Sequence, residues 1–221
     1  MKSALVIGAS GGIGAALVAE LARRGVAVTG LSRRLDGLDL TDEASIARVL
    51  GALAGPFDTV LVATGALELG PHRPEKALRG VAPDALAAQF ALNATGPLLV
   101  LKHALRLMPK GEPVRFAALS ARVGSIGDNS LGGWYSYRAA KAALNQLVHT
   151  AAIEVARSHP QSVVVTLHPG TVDTGLTANY RGGHEAMPTA TAAGHIVQVL
   201  GRLTPAQSGG FFDWQGVAVP W

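Results

Sequence analysis

The clearest chemistry in this sequence is carried by two side chains four residues apart. Tyr137-Arg138-Ala139-Ala140-Lys141 sets a phenol and an ammonium at i and i+4, which on a helix is one face. A free tyrosine titrates at about pH 10, and an adjacent cation favours its phenolate. The pair therefore predicts a tyrosine able to pass a proton near neutral pH. The plainer alternative is a half-buried Tyr137 with Lys141 snorkelling past it. A second feature is Gly8-Ala9-Ser10-Gly11-Gly12-Ile13-Gly14. Glycines so spaced between a strand and a helix allow a tight turn, let backbone approach a pyrophosphate, and aim the N–H groups of a helix start at the anion. A third feature, Ser32-Arg33-Arg34, lies about twenty residues further on. An acid there would grip a ribose 2′-hydroxyl, whereas a guanidinium fork suits a 2′-phosphate. From Val26 onward no acid occurs before Asp36. The pattern predicts a dinucleotide site formed by Gly8, Ser10, Gly11, Gly12, Ile13, Gly14, Ser32, Arg33 and Arg34, with NADP(H) favoured over NAD(H).

These residues need a scaffold, and the order of elements supplies one. Ala4 to Ile7 reads as a strand running into the glycines, followed by a helix from about Ile13 to Arg24 that ends at Gly25. Further strands are predicted at Val26–Leu31, Phe57–Val62, Val114–Leu119 and Val163–Leu167, with a last one near Phe211-Phe212. Helices are predicted after a Thr41 cap, from Pro83 to Met108 with a kink at Gly96-Pro97, from Tyr135 to Arg157, and from Thr191 to Leu203. Apolar strands alternating with helices imply an α/β fold: a single Rossmann-type doubly wound parallel sheet with helices on both faces, residues 1–221 forming one domain. Ligands bind beyond the carboxyl ends of such strands, where the loops near Gly70–Gly80, Gly124–Gly133 and Gly175–Pro188 fall. Only Ser32 to Gly37 separate Leu31 from Leu38, too few for a helical crossover. A direct loop is expected there.

Composition removes other function classes. With 221 residues, 48% hydrophobic and a mean hydropathy of +0.28, the chain can bury a sizeable core, which excludes disorder. The absence of Cys excludes disulfide frameworks, thiolate metal sites and a Cys nucleophile. The net charge of +4 is spread along the chain in nothing denser than Arg23-Arg24 and Arg33-Arg34, and aromatics are only 5%. That disfavours nucleic acid and suits an anionic small molecule. Seven His without ligand spacing predict no metal site. The apolar region Ala85 to Leu107 is interrupted by Gln89, Asn93, Pro97, Lys102 and Arg106, which predicts a buried helix and no membrane partner. The run before Gly8 is too short for a signal-peptide core, so a cytoplasmic location is expected.

Together these residues resemble the short-chain dehydrogenase/reductase family, over nearly the whole length. Gly8, Gly12 and Gly14 match its cofactor glycines, and Tyr137 and Lys141 its catalytic pair. The resemblance implies that Asp39, in Leu38-Asp39-Leu40-Thr41, meets the adenine ring beside Leu40. It implies that Asn93 holds a water in a proton relay, and that Pro169-Gly170-Thr171-Val172-Asp173-Thr174 lies against the nicotinamide, with Pro169, Gly170, Val172 and Thr174 in contact. The tail Asp213-Trp214-Gln215-Gly216 with Pro220-Trp221 is similar to the C-factor and sniffer-like branch of carbonyl reductases. There are departures. Where many members have N-N-A-G, this chain has Val62-Ala63-Thr64-Gly65, so Ala63, Thr64 and Gly65 carry over only as backbone near the cofactor. Where members have S-S-x-x-G, the chain has Ser120-Ala121-Arg122-Val123-Gly124. Ser120 leads as source of the missing hydroxyl, with Ser125 behind it.

The expected activity is an NADP(H)-dependent interconversion of a carbonyl and an alcohol, with Tyr137 as proton donor or acceptor, Lys141 assisting, Ser120 polarising the carbonyl, and Asn93 in the relay. The competing expectation is a dinucleotide-binding regulatory or signalling protein with little turnover, to which Ala121 lends substance. His168, Trp134 and Tyr135 are expected near the pocket or packed beside it. The loop with Leu176, Tyr180, Arg181, His184, Glu185 and Met187 is expected to form a lid. The apolar residues of the helices at 83–108 and 135–157 predict a homodimer, as is common in the family, or a homotetramer if Phe211–Trp221 makes a second contact.

Overall fold

The computed structural model describes residues 1–176, 178–180 and 185–221; the expectations for Arg181 and His184 lie outside them. The elements in chain order are β1 (Ser3–Ile7), α1 (Gly12–Arg23), β2 (Ala27–Leu31), α2 (Arg33–Asp36), α3 (Glu43–Gly51) and β3 (Thr59–Val62). They continue with α4 (Pro83–Phe90), α5 (Gly96–Ala104), β4 (Val114–Leu119), α6 (Tyr135–Ser158), β5 (Ser162–His168), α7 (Thr189–Arg202) and β6 (Phe211–Asp213). Among the described residues the strands form one six-stranded sheet in the order β2-β1-β3-β4-β5-β6, with every pairing parallel. The α/β doubly wound architecture expected from the sequence is therefore the one observed. The strand order reverses between β1 and β3, and that switch point opens a crevice at their carboxyl ends.

Side chains alternate across the sheet and feed two cores. Leu5, Ile7, Val60, Val62, Phe116 and Val164 pack with α3, α5 and α6 on one face. Ala4, Val6, Leu61, Ala117, Val165 and Leu167 pack with α1 and α7 on the other. Central strands β3 and β4 are apolar on both faces because both are covered.

Three local expectations change. The segment Ser32–Gly37 is a capped helical turn rather than a bare loop. The Ser32 side chain accepts from the Leu35 N–H at 3.2 Å, the Asp36 carboxylate accepts the Ser32 N–H at 2.7 Å, and Gly37 closes the turn in the left-handed region at φ 64°. Asp42, not Thr41, caps α3: its side chain accepts from the Ala44 N–H at 3.0 Å. Thr41 instead donates to Asp39.

The third change concerns Gly96-Pro97. The irregular turn lies just upstream, a π turn over Ala91–Thr95 that joins α4 to α5. Pro97 has no N–H to offer Asn93 four residues back, so the ladder shifts register there. By length and composition Pro83–Leu107 could cross a membrane, yet Ala94, Val100, Leu101, Ala104 and Leu107 lie in the core. Leu101, Leu144, Val148 and Val155 are likewise buried within the one subunit, so the apolar surplus expected on these helices shrinks to residues such as Phe90, 37% exposed, and Ile153, 56% exposed.

Gly96 gives a test of this packing. Alanine is better than glycine inside a helix by about 1 kcal/mol, but its Cβ would stand 2.7 Å from the Leu40 carbonyl oxygen. Gly96→Ala is therefore expected to destabilise by about 1–3 kcal/mol, measured as a lowered midpoint of urea denaturation.

Candidate active site

Three neighbouring strands deliver polar atoms to one place. Thr64 lies two residues past β3, Ser120 directly follows β4, and His168 ends β5. Thr64 Oγ1, Ser120 Oγ and His168 Nδ1 are buried without a hydrogen-bond partner, and all three residues line a cavity of about 690 Å³. An unpaired buried polar atom costs about 1–3 kcal/mol, so these atoms mark where a ligand's polar groups belong. Burial, with the nearby Arg122 charge, pushes His168 down to about 4 and keeps it neutral at pH 7.

The geometry separates the two candidate serines. Ser125 donates to the Pro220 carbonyl at 2.5 Å and accepts the Asp128 N–H at 3.1 Å. It is occupied with fastening the C-terminal tail. Ser120 faces the cavity with its hydroxyl free.

Tyr137 and Lys141 share the buried face of α6 and line the same cavity, at 7% and 2% exposure. Lys141 Nζ stands 5.8 Å from the Tyr137 ring centroid and donates to the Leu119 carbonyl at 2.8 Å. The sequence argument has the cation lowering the phenol's pKa; burial acts in the opposite direction. Burial raises Tyr137 above its ordinary value and pushes Lys141 down to about 7. An amine only half protonated at neutral pH gives the phenolate little support, so in the protein alone Tyr137 keeps its proton.

Asn93 is fully buried in the π turn. Its side chain accepts the Ala66 N–H at 3.2 Å, and donates to the Ala66 carbonyl at 3.0 Å and to Gln89 Oε1 at 2.5 Å. The amide is thus spent on holding the Ala63–Ala66 strand end in place. At Gly65 a Cβ would lie 3.0 Å from Asn93 Oδ1 and 3.6 Å from Lys141 Nζ, so the strand end, the π turn and α6 meet at that residue.

The residues present fit a dinucleotide. At Gly14 a Cβ would stand 2.0 Å from the Gly8 carbonyl oxygen, and Gly8 itself has φ +87°. The α1 N-terminus at Gly11-Gly12 has no side-chain cap and no acid in its first turn, which leaves its N–H groups to an anion. A second cavity of about 520 Å³ is lined by Gly8, Ser10, Gly11, Ser32, Arg33 and Asp39, among others. It shares Ala63, Thr64 and Gly65 with the first, so the two form one groove over the switch point. Leu40 lines the second cavity too. Asp39 Oδ1 accepts from the Thr41 N–H and hydroxyl at 2.8 and 2.6 Å, and these bonds lower its pKa. Arg34 is exposed and lines neither cavity. Pro169, Gly170, Val172 and Thr174 line the first cavity with Ile13, and Gly12 approaches Thr174 so closely that a Cβ would lie 3.0 Å from its methyl.

Opposite, Trp134 walls the first cavity, edge-on to Tyr137 at 6.3 Å and to Tyr180 at 5.6 Å. Tyr135 points outward, 38% exposed. Trp134 holds a left-handed conformation, φ 53°, at the α6 N-cap. Its N–H is held by Glu75, which no periodicity or motif flags. Its carbonyl accepts the Trp134 N–H at 2.5 Å, and its buried carboxylate accepts from the Ser136 N–H at 3.2 Å and from the Ser136 hydroxyl. A carboxylate from the loop after β3 thus caps the helix that bears Tyr137. Tyr180 donates to Glu68 at 2.5 Å, tying the loop after β5 across the groove. Trp214 stacks on His195 at 5.0 Å and covers Gly170. It anchors the tail within its own subunit.

Comparison with known proteins agrees with this geometry. The family described as short chain dehydrogenase matches residues 2–185. C-signal of Myxococcus xanthus is 38% identical over 138 residues, 62% of this chain and 78% of that protein. The carbonyl reductase Sniffer of D. melanogaster has a TM-score of 0.79 at 22% identity, over 100% of both chains. A short-chain dehydrogenase/reductase from Burkholderia multivorans with bound NADP has a TM-score of 0.80 at 25% identity, covering 100% of this chain and 99% of that one.

The buried amine predicts a pH dependence of stability. Between about 7 and 10.5, the folded and ordinary values for Lys141, the unfolded chain binds a proton that the folded chain does not, so stability rises with pH. Tyr137, raised above 10.0, opposes this once the unfolded phenol ionises. The denaturant midpoint of the ligand-free protein is expected to climb between about pH 7 and 10, and Lys141→Met to flatten the climb.

Proposed function

The chain belongs to the short-chain dehydrogenase family, in its C-factor and sniffer-like branch, and on that footing we propose that it is an NADP(H)-dependent oxidoreductase interconverting a carbonyl and an alcohol. The observation that carries the reading is the meeting of Tyr137, Lys141 and the unpartnered Ser120 hydroxyl in one cavity continuous with the glycine turn. When bound, the dinucleotide supplies or accepts the hydride. Ser120 donates a hydrogen bond to the substrate oxygen and polarises it. Tyr137 gives that oxygen its proton as the alcohol forms, and its raised pKa suits it to hold the proton until then. Lys141 stands behind Tyr137, and the Asn93 carbonyl serves the proton path. The Gly8–Gly14 turn receives the pyrophosphate, Asp39 and Leu40 the adenine, and Ala63–Gly65 with Pro169–Thr174 the nicotinamide end.

Arg33 supports the choice of NADP(H): it lines the second cavity on a rigid capped turn, and the solved Burkholderia structure of similar fold holds NADP. Arg33→Asp should weaken NADPH binding by about 1.5–3 kcal/mol and NADH binding far less, measured by titration. A wild type that already prefers NADH sinks the argument.

The regulatory reading has the likeness to C-signal and the alanine at 121 in its favour, but it has no use for a free serine hydroxyl beside a Tyr-Lys pair. A cytoplasmic homodimer, or a tetramer through the tail, belongs to the same proposal, with Phe90 and Ile153 as exposed apolar residues to be covered. The test is NADPH consumption with aldehydes, ketones and quinones. Tyr137→Phe and Ser120→Ala should each lose about 10²-fold or more in rate, with Ser125→Ala far less affected. Equal activity of Tyr137→Phe and wild type refutes the mechanism.

A further inference from the structure

The charges of the larger cavity do not balance. Its described lining includes Arg122, Arg138 and Lys141 and no Asp or Glu. Arg122 is paired with Asp128 at 2.5 Å and lies 3.8 Å from Asp213. Lys141 is turned to the Leu119 carbonyl. Arg138 differs from Arg122 in having no carboxylate partner among the described residues, and from Lys141 in standing outside the Tyr-Lys pair. Its Nε donates to the Gly133 carbonyl at 3.0 Å and its Nη1 to the Val123 carbonyl at 3.2 Å. Carbonyl dipoles orient a guanidinium without neutralising it. Both Nη2 donors lack a partner among the described residues, and no carboxylate forms an ion pair with the group. Arg106 and Arg115 are also anchored on carbonyls, but they line neither cavity. Arg138 therefore presents a fixed, uncompensated cation on the wall of the substrate cavity, at the residue after Tyr137.

We propose that Arg138 binds a carboxylate on the substrate, so that the compound turned over is an apolar aldehyde or ketone, or the matching alcohol, bearing an acid group. This rests on the oxidoreductase reading above and names its substrate class. A monoanion balances the Arg138 guanidinium, and the planar fork matches a carboxylate. The lining of the same cavity includes Val123, Leu131, Trp134 and Leu176, so the body of the substrate is apolar too. The half-buried setting, which lowers the Arg138 pKa through desolvation, strengthens the contact relative to one in bulk water.

The experiment compares 4-carboxybenzaldehyde with its methyl ester, using NADPH and the full chain. Wild type should favour the acid in kcat/KM by about 10-fold or more, the worth of a charged hydrogen bond, and the preference should shrink at high salt. Arg138→Gln should bring the acid-to-ester ratio close to one, and Arg138→Lys should retain part of it. Equal use of acid and ester by wild type overturns the inference, and that comparison stands even if the variants fold poorly. Benzoate titration followed by tryptophan fluorescence separates the two levels of the argument. Benzoate binding that is lost in Arg138→Gln supports the carboxylate site even if no carbonyl is consumed, in which case only the oxidoreductase reading falls. No benzoate binding to wild type overturns the carboxylate site.

Discussion

The cleft depends on how closely the first helix meets the first strand. With hydrogen for a side chain at Gly14, α1 comes down onto the Gly8 carbonyl, where a methyl would leave only 2.0 Å. That pinch fixes the axis of α1, aims its uncapped N-terminus over the switch point between β1 and β3, and brings Gly12 against Thr174 from the far loop. Strands β3, β4 and β5 then run parallel beside β1, so their carboxyl ends arrive at the same level, and with them Thr64, Ser120 and His168. A parallel sheet makes such a row of ends unavoidable. What this chain adds is that the polar atoms at those ends are left unpaired.

A second consequence is the division of labour among loops and helices. The helix that carries Tyr137 and Lys141 has no capping side chain of its own at its N-terminus, and takes its cap from Glu75, sixty-one residues earlier. The π turn at Asn93 likewise spends its side chain on Ala66 rather than on a ligand. Both devices tie the loop after β3 to the helices behind the site, so the strand end at Ala63–Gly65 is held from two sides. On the proposed mechanism, such ties would help a proton donor and a polarising hydroxyl keep their separation while a ligand enters.

The fold was legible because its signals are local. Apolar runs of strand length, Gly8–Gly14 between a strand and a helix, and Tyr137 four residues before Lys141 each declare themselves within a few residues. Ser120 could be ranked over Ser125 only loosely, since both follow β4, and the difference lies in Pro220, at the other end of the chain. Glu75 was invisible for the same reason: a lone acid in a loop looks solvent-exposed until Ser136 is known to meet it. The Ser32–Gly37 turn was misjudged through length alone, because four residues suffice for a helix when Ser32 and Asp36 cap it reciprocally and Gly37 ends it. The dyad's electrostatics depend on more than spacing. Spacing predicts adjacency correctly, but adjacency implies pKa coupling only if the cation stays charged, and burial decides that.

Desolvation acts on Tyr137 and Lys141 toward the same end, neutrality, though it moves their pKa values in opposite directions. Burial thus favours the proton on the Tyr137 oxygen and the neutral form of the Lys141 amine. A negative ligand group entering the groove favours the ammonium, and an ammonium so near the phenol then favours the phenolate. On the proposed mechanism, the sign and position of ligand charge would therefore bear on the proton affinity of the pair. The described lining of the larger cavity holds no acid. A carboxylate there would hold Lys141 charged at all times and neutralise Arg138, removing both the responsiveness of the dyad and the cation left for an incoming anion.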